Sequence, residues 1–266
     1  MKSAAAKLKD LKDILHGYGG AVIAFSGGVD STFLASVAYE VLGERVMAVT
    51  ASSETYPEHE IKAAGRLAEK IGLFHMIIHT EELADGKFTA NPPQRCYFCK
   101  KELFTKLWQI GEKHGLPQVL DGSNFDDRLD FRPGMQAAKE MGIKSPLLEA
   151  ELTKDDIREL SREMGIPTWN KPSLPCLASR FPYKEEITRE KLAMVKEAEE
   201  YLRAMGLDIL RVRHHGNLAR IEADPKDFQI ILGAAEKISI KLKQIGYNYV
   251  TLDLQGFRSG SLNEVI

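Results

Sequence analysis

The sequence predicts an α/β protein: a domain built on a parallel sheet with helices on both faces, then a small α+β domain. Short apolar runs rich in β-branched residues alternate with helix-like stretches through the first part of the chain. Those runs are nearly continuous in apolar character, as strands covered on both faces should be. From about residue 189 the order changes to helix, strand, strand, helix, strand.

In chain order, 7–15 reads as an amphipathic helix. Strand 21–25, helix 31–42, strand 45–50, helix 57–71 and strand 73–79 follow. A helix-like run from 97 to 114 leads to strand 117–121. Ligands of such sheets bind at the carboxyl ends of strands, and the polar clusters 26–31, 50–56 and 122–127 all fall there. Thr153-Lys154-Asp155-Asp156 is a capped helix start, with the helix running to about 164. The stretch 166–183 holds four of the eleven prolines, with Trp169 and Cys176, and reads as an ordered loop. The expected boundary lies near Phe181, giving domains 1–180 and 181–266. The second contains helix 189–205, strands 209–214 and 218–223, helix 226–244 opened by Asp224-Pro225, and strand 247–253. The tail 256–266 reads as loosely ordered.

With 266 residues, 44% hydrophobic and 28% charged, the chain can bury a proper core. No run approaches a membrane span, and the first ten residues lack an apolar signal region, so a cytoplasmic location is expected. A net charge of −2 argues against nucleic acid as a partner. Three cysteines cannot all pair, and a cytosolic chain keeps them reduced.

Ser26-Gly27-Gly28-Val29-Asp30-Ser31 is the most informative stretch. A strand, a glycine turn and a helix N-terminus converge backbone N–H groups on one point, which makes an anion site. Asp30 would repel phosphate there unless Mg²⁺ sits between them. The bare residues therefore indicate ATP with a metal. The spacing matches neither Walker A nor G-x-G-x-x-G. The pattern S-G-G-x-D-S resembles the PP-loop of the N-type ATP pyrophosphatases. That family cleaves ATP between the α and β phosphates, adenylates a substrate oxygen and lets a nucleophile displace AMP.

Cys96-Tyr97-Phe98-Cys99 is a CxxC at a helix start, where thiol pKa falls. Cys176 is the third cysteine. Zinc would want a fourth ligand, for which His75, His79 and His114 are candidates without a supporting motif. Three thiolates also suit a 4Fe–4S cluster with one open iron. The plainer alternative is two structural cysteines and one catalytic one. Gly122-Ser123-Asn124-Phe125-Asp126-Asp127-Arg128 follows a strand on the PP-loop edge, so Gly122 and Asn124 are candidate nucleotide contacts. Asp127, Asp130 and Arg132 form a charged cluster beside it. Arg211 and Arg213 alternate along one strand and share a face, as do Arg220 and Glu222 on its neighbour. Such a set either clamps an anionic ligand or forms a salt-bridged solvent face. His214-His215, next to the turn, reads as surface.

Taken together, S-G-G-V-D-S, R-C-Y-x-C-K-K-E-L-F, G-S-N-x-D-D-x-x-D-x-R-P-G and P-x-x-P-C-L-A-S-R resemble the LarE family along essentially the whole chain. LarE proteins insert sulfur in nickel-pincer nucleotide biosynthesis, acting on pyridinium-3,5-biscarboxylic acid mononucleotide. The resemblance implies a PP-loop ATP pyrophosphatase domain and an ATP-dependent sulfurtransferase that turns carboxylates into thiocarboxylates. It implies that Ser26, Gly27, Gly28, Val29, Asp30 and Ser31 hold the ATP pyrophosphate, with Mg²⁺ on Asp30. It places Ser52 and Ser53 near the adenine, and Ser179, Arg180, Arg211, Arg213 and Glu222 at the substrate. Members with one cysteine at the position of Cys176 give up its sulfur. This chain departs from them by having Cys96 and Cys99 as well. Three-cysteine members are held to carry a 4Fe–4S cluster, on Cys96, Cys99 and Cys176 here. The family tends to form homo-oligomers.

The main rival is a PP-loop tRNA thiolase with an iron–sulfur cluster, against which the acidic pI of about 6.4 stands. An amide-forming PP-loop enzyme would leave the cysteines unexplained. A nucleotide-sensing module without turnover would not need Asp30.

Overall fold

The computed structural model describes residues 2–129, 132–173, 175–258 and 260–265. The chain forms two compact units. The first comprises residues 1–85 and 94–174, and the second 86–93 and 175–266.

The first unit opens with α1 (Ala4–His16), whose Ser3 cap accepts the Ala6 amide. It continues through β1 (Ala21–Ala24), α2 (Val29–Leu42), β2 (Val46–Ser52), α3 (Glu58–Ile71) and β3 (Phe74–His79). The four strands, with β4 (Gln118–Leu120), run parallel in the order β3-β2-β1-β4. This is the expected α/β sheet. Alternate strand residues face opposite ways. Ala21, Ile23, Val46 and Ala48 join Phe33, Leu34, Leu11 and Leu15 in one core. Val22, Met47, Val49 and Val119 join Leu103, Phe104 and Leu107 in the other. Both faces of β1 and β2 are therefore covered. Strand β3 departs from that expectation. It pairs only with β2, and Phe74 and Ile77 stay exposed on this edge.

The short α4 (Gly86–Thr89) belongs to the second unit. The long α5 (Arg95–His114) brings the chain back to the first, with Gln94 in the cap position. Two short helices absent from the sequence expectations, α6 (Pro133–Glu140) and α7 (Pro146–Glu149), follow β4. They precede α8 (Lys154–Glu163). Its capping box is complete: Thr153 Oγ1 accepts the Asp156 amide, and Asp156 accepts the Thr153 amide.

The second unit contains α9 (Arg189–Ala204), β5 (Leu210–His215), β6 (Leu218–Ala223), α10 (Phe228–Gly233), α11 (Ala235–Ile245) and β7 (Tyr249–Leu252). The single helix expected over 226–244 is thus a 3₁₀ turn and two helices. The sheet is mixed: β5 and β6 are antiparallel, β6 and β7 parallel. Leu210, Val212, Ala219 and Ile221 face α9 and α11 in a core with Leu202, Leu242 and Tyr247. The opposite face carries Arg211, Arg213, Arg220 and Glu222, in register Arg211↔Glu222 and Arg213↔Arg220.

The units divide at 174/175 instead of near Phe181. Buried Arg180 ties 175–180 to α9 through Glu199. Residues 86–93 join the second unit by pairing with 182–187. The Lys184 amide donates to Asn91 O, the Ile187 amide to Thr89 O, and Asn91 Nδ2 to Pro182 O at 2.7 Å. No helix among the described residues is long and apolar enough to cross a membrane.

Candidate active site

In the first unit, β1 ends at Ala24 and the chain turns through Ser26-Gly27-Gly28 into α2, whose N-cap is Gly28. Gly27 has φ 67°, and a Cβ there would stand 3.0 Å from Ala64 Cα on α3. The turn thus requires glycine both for its left-handed backbone and for its close approach to α3. A Cβ on Gly122 would lie 3.1 Å from the Ser31 amide nitrogen. Gly122 therefore lets the end of β4 pack against the first turn of α2. The loop hydroxyls bond each other: Ser26 Oγ lies 3.0 Å from Ser31 Oγ, and the Gly28 amide donates to Ser26 Oγ at 3.3 Å. Val29 buries its side chain in the core, leaving only its backbone for a ligand.

Asp30 stands at this helix start, and three groups gather round it. Asn124 Nδ2 donates to Asp30 Oδ1 at 3.4 Å, and Lys154 pairs with Asp30 Oδ2. Asp127 is buried and paired with Arg132 at 2.8 Å. Burial pushes the Asp127 carboxyl above its ordinary range, the Asn124 amide and Arg132 pull against that, and the charge of Asp30 adds to the rise. Two carboxylates crowded this way, with a lysine on one of them, suit a divalent cation by the chemistry of their donors. Asp130, placed in this cluster by the sequence, lies outside the described residues.

A second lysine reaches the loop. Lys171 Nζ donates to Gly27 O at 3.1 Å and to Glu60 at 2.7 Å. Neither lysine is marked as functional by the sequence. Lys154 reads there only as part of a helix cap, and Lys171 only as part of a proline-rich loop.

Beside the turn, at the carboxyl ends of β1 and β2, lies a cleft lined by Phe25, Val49, Thr50, Ala51, Tyr56 and Lys100 among others. Thr50 Oγ1 donates to Phe25 O at 2.7 Å and lies 2.8 Å from His75 Nε2. Burial holds the His75 pKa below its ordinary value. Ser52 and Ser53 are not among the cleft-lining residues. Ser53 Oγ donates to buried Glu82 at 2.6 Å, and Ser52 O accepts the Thr80 amide.

Cys96 and Cys99 sit in the first turn of α5, both outside any disulfide. Cys99 Sγ lies 3.9 Å from the hydroxyl of Tyr56, a cleft residue.

In the second unit Cys176 is also a thiol, at the start of a 3₁₀ turn, Leu177–Arg180. Arg180 is 1% exposed. It pairs with both oxygens of Glu199, at 2.7 and 3.0 Å, and donates to the carbonyls of Pro175 and Cys176 at 2.8 and 3.3 Å. Expected at the substrate, Arg180 instead spends its donors on the Cys176 turn, because Glu199 claims one edge of the guanidinium and the turn another. Burial alone would raise the Glu199 carboxyl. Arg180, Arg203 and the Val212 amide outweigh that and hold it below the usual range.

Arg213 pairs with Glu222 at 3.0 Å and donates to Ser179 O and Ser261 Oγ. Arg220 donates to the other Glu222 oxygen at 3.0 Å. Arg211 has no carboxylate within ion-pair distance among the described residues. It donates to Arg258 O and packs on the Phe257 ring. Burial, then the like charges of Arg213 and Arg180, push Arg211 down to about 10. Buried Arg180, Arg211 and Arg213 thus face only Glu199 and Glu222, leaving a net positive interior. His214, read as surface, is buried between Phe181 and Tyr247.

Within neither unit do three His, Cys, Asp or Glu side chains of the described residues gather as a metal site.

The NAD synthase family model matches residues 6–94, which span the sheet strands β1 to β3 and the PP-loop. The chain is 46% identical to an uncharacterized protein of Synechocystis sp., over 98% of both chains. It is 38% identical to the pyridinium-3,5-bisthiocarboxylic acid mononucleotide synthase of Lactiplantibacillus plantarum, over 98% of this chain and 92% of that one. A glutamine-hydrolyzing GMP synthase of Archaeoglobus fulgidus is 26% identical over 68% of this chain and 63% of its own. With the PP-loop turn between β1 and α2 and a near full-length match to the Lactiplantibacillus synthase, the chain belongs to the LarE family of PP-loop proteins.

Proposed function

We propose that this protein is an ATP-dependent sulfurtransferase acting on pyridinium-3,5-biscarboxylic acid mononucleotide. A substrate carboxylate oxygen attacks the α-phosphorus of ATP and pyrophosphate leaves. A sulfur nucleophile then attacks the acyl carbon, AMP leaves, and a thiocarboxylate remains. The observation that carries this reading is the contact of Cys99 with Tyr56, which sets a sulfur-bearing helix turn at the rim of the nucleotide cleft.

The PP-loop amides and the α2 N-terminus bind the pyrophosphate. Lys154 and Lys171 stand where the leaving charge develops, each now held by an acidic side chain. Mg²⁺, when bound, bridges carboxylate and phosphate. Asp30 would hold it, with Asn124 and Asp127 alongside. The cationic interior of the second unit, Arg211 above all, suits a substrate with a phosphate and two carboxylates.

Cys96, Cys99 and Cys176 carry the sulfur in this reading. The donor set fits a 4Fe–4S cluster: all three cysteines stand outside any disulfide, and Cys96 and Cys99 are three apart on one helix turn. Such a cluster supplies an open iron at which sulfide stays nucleophilic. The homo-oligomer and the cytoplasmic location belong to the same proposal.

The test is anaerobic incubation with ATP, Mg²⁺ and the pyridinium dicarboxylate nucleotide, following pyrophosphate and the mass of the product. Both pyrophosphate and thiocarboxylate should form. Turnover with tRNA and none with the nucleotide would move the assignment to a tRNA thiolase. A colourless, iron-free protein that transfers sulfur while Cys176 loses the mass of H₂S would replace the cluster with a sacrificial cysteine.

A further inference from the structure

The charged face of the second unit's sheet is covered by the last stretch of the chain. The Phe257 ring lies 4.4 Å from the Arg211 guanidinium, and Arg211 Nη1 donates to Arg258 O at 3.2 Å. Ser261 Oγ accepts from Arg213 Nη2 at 2.7 Å and lies 3.4 Å from both Glu222 oxygens. The Phe257 amide anchors this stretch on Ala223 O, and Arg258 pairs with Glu264 on the outside. The tail expected to be loose is therefore docked, because two buried arginines need acceptors that the sheet does not supply.

What those acceptors are matters. Apart from Glu222, the oxygens that Arg211 and Arg213 use are neutral: the carbonyls of Arg258 and Ser179 and the Ser261 hydroxyl. An anionic oxygen bonds a guanidinium about twice as strongly as a neutral one. Arg211 and Arg213 are 5% and 3% exposed, so no anion reaches them while the cover is closed. Of the covering pieces, the Leu177–Arg180 turn is held by the buried Arg180–Glu199 pair. The tail is held by one hydroxyl, one carbonyl, one ring and an exposed ion pair. It is the piece with the lower opening free energy.

We propose that the tail carrying Phe257, Arg258 and Ser261 is a lid on the arginine site, whose oxygens hold the donors that an anionic ligand takes on binding. Only the identity of that ligand rests on the substrate reading given above.

Phenylglyoxal, which modifies accessible guanidinium groups, tests the cover without any substrate. In the full chain, Phe257→Ala with Ser261→Ala should raise the modification rate of Arg211 and Arg213, mapped by mass, about tenfold, the worth of one charge-assisted hydrogen bond. Glu264→Lys breaks only the outer pair and leaves the buried groups in place. It should raise the rate less, and it serves if the double variant misfolds. Hydrogen exchange then reads the ligand: the pyridinium dicarboxylate nucleotide should speed exchange across 257–265. Unchanged arginine reactivity in both variants overturns the lid, as does nucleotide binding with tail exchange unchanged. Raised reactivity with no binding of the nucleotide to any variant upholds the lid and overturns the substrate reading.

Discussion

Replacing Arg180 by methionine should unfold much of the second unit, and the size of the effect follows from what the guanidinium touches. Arg180 makes two charge-assisted bonds to Glu199 and bonds to the carbonyls of Pro175 and Cys176, all away from water. Methionine fills much of the volume but leaves the Glu199 carboxylate, 3% exposed, with only Arg203 and the Val212 amide. Breaking one side of a buried pair costs about 3–5 kcal/mol. That is a large part of the roughly 5–15 kcal/mol that holds a domain folded. For a unit of this size each kcal/mol moves the midpoint by about 4–8 °C, so a drop of at least about 12 °C is expected. Arg180→Met with Glu199→Met removes the stranded charge and should recover most of the loss. The assay is thermal unfolding followed by circular dichroism, with hydrogen exchange at Val212 assigning the transition to this unit. A loss below about 1 kcal/mol, the size of an exposed pair, would refute the reasoning. So would a double variant no more stable than the single.

Asp30→Ala should abolish pyrophosphate release while leaving thermal unfolding of the first unit unchanged, and Mg²⁺-dependent turnover surviving in it would be contrary evidence. Gly27→Ala should destabilise the first unit by about 1–3 kcal/mol in urea unfolding, through its φ of 67° and the approach to Ala64. Arg211→Ala should weaken binding of the pyridinium nucleotide by about 1.5–3 kcal/mol in calorimetry and leave ATP binding alone. Normal nucleotide binding with lost thermal stability would make Arg211 structural. The Glu199 carboxyl sits below its unfolded value, so its contribution is complete above the ordinary carboxylate range and is lost as pH falls through the depressed folded value. Acid titration of hydrogen exchange at Val212 should show that loss in the native chain and not in Glu199→Gln.

The PP-loop was legible because six consecutive residues make it, between a strand and a helix that both announce themselves by apolar pattern. The two-faced burial of β1 and β2 was legible for the same reason. Lys154 and Lys171 were not, because a lysine's reach across a fold leaves no local mark in a sequence. The sharing of a face by Arg211 and Arg213 followed from strand alternation. That Arg180 turns inward to Glu199 did not, since a guanidinium's partners come from elements far along the chain. The docking of Ser261 was hidden for a similar reason. Its short polar neighbourhood looks loose until two buried arginines stand opposite it.

The second unit is assembled from two pieces of chain, and that orders its synthesis. Residues 86–93 leave the ribosome about ninety residues before the partners of Asn91 and Thr89 at 182–187. At ordinary elongation rates the wait is roughly 5–20 s. Phe88 and Asn91, both buried in the finished protein, stay uncovered for all of it. A nascent chain stalled in that interval exposes an apolar ring beside a CxxC that is already made. A recombinant fragment beginning at Pro175 would lack the segment altogether, leaving the Lys184 and Ile187 amides and the Pro182 carbonyl without the partners they have in the whole chain.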